Sequence, residues 1–133
     1  MANKKLLALD VGEKRIGVSM ADTDVKIAIA YDTINVDGTE LQQIAQLVLQ
    51  NNIDTIVVGY PRNQSGDPTQ QTDYAVHFAS QLDDLDANIV FQDESLTSVK
   101  AEEVLKRQRA PYEKGDIDAL AASFILQDYL ETH

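Results

Sequence analysis

The chain has no cysteine, only two histidines, and half as many basic as acidic side chains. Without thiols there is no disulfide framework, no thiolate metal site and no cysteine nucleophile, so stability rests on packing and any metal must sit on oxygen or imidazole. No run approaches the roughly 18 apolar residues that a membrane span requires, which argues against a membrane protein. The start, Lys4-Lys5 followed by Leu6 to Leu9, has the charge and apolarity of an export signal. Asp10 interrupts the run before even about 7 apolar residues accumulate, and the chain is expected to stay in the cytoplasm. The two histidines offer little chemistry: His77, beside Tyr74 and Phe78 in a helical stretch, reads as a surface or packing residue, and His133 is terminal. The shortage of basic side chains leaves a net charge of -11, which opposes nonspecific binding to a phosphate backbone. One stretch departs from this balance. Between Lys100 and Lys114 stand Lys100, Lys106, Arg107, Arg109 and Lys114 against Glu102, Glu103 and Glu113, a local excess of positive charge able to hold a polyanion.

What is present suits one globular domain over residues 1–133: 44% hydrophobic and 25% charged residues, enough to bury a core and too few for two domains. Leu6 to Leu9 is a continuous apolar run, Gly12-Glu13-Lys14 a turn, and Ile16 to Met20 a return strand, which together predict a hairpin. A third strand is expected over 27–36, ended by Asp37-Gly38. Thr39 and Gln42 have capping-box spacing, and Leu41, Ile44, Ala45 and Val48 follow at helical intervals. The β-branched run 53–58 reads as a central strand covered on both faces, ending at Gly59-Tyr60-Pro61. Asp67 is placed to cap a second helix that starts at Pro68 and reaches about Leu85. A short strand over 89–91 ends at Asp93-Glu94; Thr97 or Ser98 opens a third helix through Arg107; Ala110-Pro111 breaks it, and Asp116 caps a last helix with Ile117, Leu120, Ala121 and Phe124 on one face. The predicted order is βββαβαβαα, an α/β fold in which an antiparallel hairpin edge joins a parallel pair with helices packed on the mixed sheet.

Three carboxylates fall where such a fold leaves crevices: Asp10 near the end of the first strand, Glu94 at the end of the last, and Asp118 early in the last helix. Each alone reads most simply as a cap or a solvated charge. If they converge, their mutual repulsion calls for protons or a bridging cation, and hard oxygen donors favour Mg2+ or Mn2+. Such ions hydrolyse phosphodiesters without a Ser, Cys or His nucleophile. Lys14, Arg15, Arg62, Arg107, Arg109 and Lys114 are the candidate phosphate contacts, with a purely solubilising role as the competing reading. Gly12 and Gly17 allow a tight turn and close backbone approach near Asp10, and Ala121 and Ala122 allow the last helix to pack tightly.

Four strings then carry a resemblance: Leu9-Asp10-Val11-Gly12-Glu13-Lys14-Arg15-Ile16-Gly17; Gly59-Tyr60-Pro61-Arg62-Asn63 with Gly66; Asp93-Glu94-Ser95-Leu96-Thr97-Ser98; and Lys114-Gly115-Asp116-Ile117-Asp118-Ala119-Leu120-Ala121-Ala122. In this order, and spanning most of the chain, they resemble the successive motifs of the YqgF (RuvX) family of pre-16S rRNA nucleases and Holliday-junction resolvase relatives. The resemblance implies a ribonuclease H-like fold, places a metal-binding catalytic set on Asp10, Glu94 and Asp118, and points to precursor rRNA, with processing of the 5' end of precursor 16S rRNA as the expected role. Branched DNA is the alternative substrate, and a noncatalytic nucleic-acid-binding module of the same fold the alternative class. Retention of all three carboxylates disfavours the module, since an inert binder has no need of clustered negative charge near a polyanion. Actin-like ATPases and sugar kinases share an acidic strand end followed by glycines, but close two domains over their nucleotide. Two positions depart from the family pattern: Ser95 replaces a basic residue, and Tyr60 stands in a Gly-Leu-Pro segment. Oligomeric state is not readable from the sequence.

Overall fold

The computed structural model describes residues 4–63, 65–94, 103, 104, 106, 107 and 114–132. Its elements are β1 (Lys5–Val11), β2 (Arg15–Asp22), β3 (Ile29–Asn35), α1 (Glu40–Asn51), β4 (Ile53–Pro61), α2 (Gln70–Ser80), β5 (Asn88–Glu94) and α3 (Lys114–Thr132). The expected helix from Thr97 or Ser98 to Arg107 lies largely outside the described residues; the four that are described in it, Glu103, Val104, Lys106 and Arg107, are helical.

Five strands form one mixed sheet in the order β3-β2-β1-β4-β5. β1 pairs antiparallel with β2 and parallel with β4, which pairs parallel with β5, while β2 and β3 complete an antiparallel edge. Strand alternation divides β1 between two cores. Leu7 and Leu9 join Ile16, Val18, Ile34, Ile44, Ile56, Val58 and Phe78 on one face, where α1 and α2 pack. Leu6 and Ala8 join Val57, Ile125, Leu126 and Leu130 on the other, under α3. Asp10 continues the second series and therefore points to the α3 side.

Several expected boundaries shift for local chemical reasons. The capping box predicted at Thr39 does not form: Thr39 precedes α1, but its hydroxyl donates to Asp37 (2.6 Å) and accepts from the Gln43 amide (2.9 Å). Asp67 does not cap α2. Asn63 Oδ1 takes the Asp67 amide (2.9 Å), the Asp67 carbonyl accepts from Asn63 N (3.0 Å), and Pro68 bridges Arg62. Helix α2 begins two residues later, with Thr69 and Thr72 forming the reciprocal box. It stops at Ser80 rather than Leu85, because turns closed by Leu82 N to Ala79 O and Leu85 N to Leu82 O carry the chain round to β5. Strand β3 begins at Ile29 rather than Ile27, after a turn in which Asp22 accepts from Val25 N and Lys26 takes a φ of 60°. Asp116 lies within α3 instead of capping it. Strands β4 and β5 are longer than predicted and pair as far as Pro61 with Glu94, which puts Glu94 inside the sheet.

Candidate active site

The site is assembled on the α3 face at the carboxyl ends of β1 and β5. Asp10 pairs with Gly17 of β2, and beyond β1 the neighbouring strand β4 offers Gly59, paired with Gln92. Both glycines make room. A Cβ on Gly17 would lie 1.9 Å from the Asp118 carbonyl oxygen, so only glycine lets the α3 backbone descend onto β2 at this point. On Gly59 it would lie 2.0 Å from Glu94 Oε2 and 2.9 Å from Ile125 Cδ1, so the missing side chain is the space in which the Glu94 carboxylate sits. Ser19 and Thr33 fasten α3 along the same face. The buried Ser19 hydroxyl donates to the Ala122 carbonyl (2.7 Å), and the Thr33 hydroxyl donates to the Gly115 carbonyl. Ala121 and Ala122 are fully buried, as close packing of this helix requires.

These contacts gather the three carboxylates singled out above. Burial pushes the Asp10 carboxyl up to about 6 from its ordinary value of 3.8; a hydrogen bond from Glu94 works against that rise, and the charge of Asp118 adds to it. Asp10 and Glu94 thus share a hydrogen bond, and Asp118 lies within electrostatic reach of Asp10. The Asp118 carboxylate is engaged elsewhere: its Oδ2 accepts from Arg15 Nε at 2.7 Å. Among the described residues no trio of carboxylate or imidazole groups stands close enough to hold a metal ion as the side chains lie. The donor chemistry nevertheless suits a hard cation, since a desolvated carboxyl that resists ionisation beside two more acids is relieved by positive charge.

The basic candidates divide. Lys14 is exposed in the hairpin turn, where its carbonyl accepts from Val36 N (2.9 Å). Arg15 is tied to Asp118. Arg62 pairs with Asp93 (Nε to Oδ1, 2.9 Å) and stacks over the Tyr60 ring at 4.6 Å, while Tyr60 meets Phe91 edge-on. The tyrosine that departs from the family pattern is therefore the platform of this arginine. Arg107 is helical and exposed. Arg109, Ser95 and the Lys114 side chain lie outside the described residues. Sequence reasoning gave no role to Ser19 and Thr33 and read Gly59 only as a strand end and a motif position; the signal they share is a small residue on the Asp10 side of β2, β3 and β4.

A family model described as RuvX, Holliday junction resolvase, matches residues 4–132. The chain belongs to the RuvX family. A protein of Chloroflexus aurantiacus named "Putative pre-16S rRNA nuclease" is 40% identical over 98% of this chain and 89% of its own length. Another of that name from Synechocystis sp. is 38% identical over 94% of this chain and 86% of its own. Among solved structures, RuvC of T. thermophilus in complex with a Holliday junction substrate superposes with a TM-score of 0.60 at 14% identity, covering 97% of this chain and 94% of that one. The fowlpox virus resolvase in complex with Holliday junction DNA gives 0.59 at 14% identity over 96% and 97%. These two establish the RuvC-like, ribonuclease H-like fold of the RuvX chain. No helix among its described residues is long and apolar enough to cross a membrane.

Proposed function

We propose that this protein is a nuclease dependent on a divalent cation, Mg2+ or Mn2+, that hydrolyses phosphodiester bonds at the 5' end of precursor 16S rRNA in the cytoplasm. Support comes first from one observation: a buried Asp10 whose carboxyl is held near 6, hydrogen-bonded to Glu94 and repelled by Asp118, on one face at the carboxyl ends of β1 and β5, which flank β4. Asp10 and Glu94 hold the cation, and Asp118 joins them from α3. Bound there, the cation supplies charge neutralisation for the phosphodiester and activation of an attacking water. Glu94, seated in the space left by Gly59, fixes the donor pair, and the contacts of Gly17 with α3 fix the height of Asp118 over it. Lys14, Arg15, Arg62, Arg107, Arg109 and Lys114 contact phosphates of the substrate backbone.

RNA is favoured as substrate by the names of the full-length relatives at about 40% identity. Branched DNA is the second reading, favoured by the family description. The deciding assay incubates purified protein with end-labelled precursor 16S rRNA, a four-way DNA junction and single strands, each with magnesium, manganese or chelator. Cleavage of the precursor that stops in chelator is the expected result. Preference for the junction would move the substrate to DNA, and equal cleavage in chelator would remove the cation from the mechanism.

A further inference from the structure

Arg15 is held as firmly as the acids it faces. It opens β2, its carbonyl accepts from Gly12 N (3.0 Å) to close the hairpin, and its side chain lies on the same face as Gly17 and Ser19. Asp118 is equally fixed in the main chain, because the α3 backbone rests on Gly17 and is tied by Ser19 and Thr33. With both backbones fixed, the remaining freedom is in side-chain torsions, which decide where the Asp118 carboxylate points. Its Oδ2 meets Arg15 Nε at 2.7 Å, in a pair whose side chains keep 34% and 21% of their exposure. A charge-assisted bond of this length is stronger than a neutral hydrogen bond, and solvent screens it only in part on the Asp118 side.

We propose that Arg15 is a positioning residue that stands in for the cation in the ion-free protein, so that the Arg15–Asp118 pair and cation binding exclude one another, and that cation entry releases the guanidinium toward a substrate phosphate. This rests on the reading of Asp10, Glu94 and Asp118 as one cation site. Removing Arg15 then favours the cation twice over, by freeing an oxygen donor and by removing a positive charge that repels the incoming ion. The cost appears in the ion-free protein, where Asp118 is left to repel Asp10 unopposed.

The test is calorimetric titration of Mn2+ and Mg2+ into the ion-free protein, with thermal melts on the same samples and no nuclease assay involved. Arg15→Gln is compared with the parent and with Lys5→Gln, which changes the net charge equally at the opposite, exposed end of β1. Arg15→Gln is expected to bind the cation about tenfold more tightly than the parent, the effect of one lost charge-assisted hydrogen bond. Its ion-free form should melt lower and its cation-induced rise should be larger, while Lys5→Gln stays within about twofold of the parent. Binding by Arg15→Gln that is equal to or weaker than the parent's would overturn the inference, as would equal tightening in Lys5→Gln. If parent and Arg15→Gln both fail to bind either ion, the cation site itself falls and this inference with it.

Discussion

Replacing Asp10 by asparagine should make the ion-free protein more stable, with a pH signature that identifies the cause. The folded carboxyl titrates at about 6 and the unfolded one at 3.8. Because the folded pKa is the higher, the folded state holds the extra proton between these values; the associated stability is complete below 3.8 and is lost as pH rises through about 6. Two pKa units correspond to about 3 kcal/mol, which the parent forgoes at pH 8. Asparagine has the same shape, carries no charge to desolvate, and its amide can donate to or accept from Glu94. Asp10→Asn should therefore melt about 10 °C above the parent at pH 8 in chelator, and the gap should nearly close by pH 4. Differential scanning calorimetry of both proteins across this range is the assay. A variant that melts at or below the parent at pH 8, or a gap that does not depend on pH, would refute the reasoning, because neither follows from a desolvated, repelled carboxylate.

Other consequences concern the packing that positions the acids. Gly17→Ala sets a methyl against the Asp118 backbone, where no flexible side chain can yield, and should cost at least about 3 kcal/mol in denaturant unfolding; a loss under 1 kcal/mol would show that α3 does not rest on β2 as described. Gly59→Ala meets the mobile end of Glu94 first, so the fold should survive with a loss of about 1–2 kcal/mol while cleavage falls far more, a split that a purely structural glycine would not produce. Ser19→Ala removes the buried hydroxyl bond to Ala122 and should cost about 1–2 kcal/mol by chemical denaturation, with cleavage per folded molecule little changed.

Apolar runs and carboxylate positions were the readable part of this chain. The hairpin of β1 and β2, the fully covered β4 and the amphipathic α1 follow from hydrophobic period, which puts Asp10 near the end of β1, while the apolar runs of β5 and α3 put Glu94 at a strand end and Asp118 early in a helix. Side-chain competition for backbone groups was not readable: Asp37 captures the Thr39 hydroxyl, and Asn63 captures the Asp67 amide, so two plausible caps fail or move although the residues are the right type. Pairing across the sheet was hidden as well. That Gly59 clears space for Glu94 depends on the parallel register of β4 and β5, and that Arg15 meets Asp118 depends on contact across 103 residues of sequence. Ser95 and Arg109 were legible only as positions in a motif and in a basic strip, and both lie outside the described residues.

The most direct test of the central claim is the rate at which end-labelled precursor 16S rRNA is cut in magnesium by the parent and by Glu94→Gln, in matched preparations shown by melting to be folded. The account predicts that the parent cuts, and that the glutamine variant, which keeps the shape of Glu94 and its hydrogen-bonding capacity toward Asp10 but loses the charged donor, is slower by about a thousandfold or more, in the range seen when a group essential to charge stabilisation is removed. A folded Glu94→Gln protein that cuts the precursor at the parent's rate would contradict it.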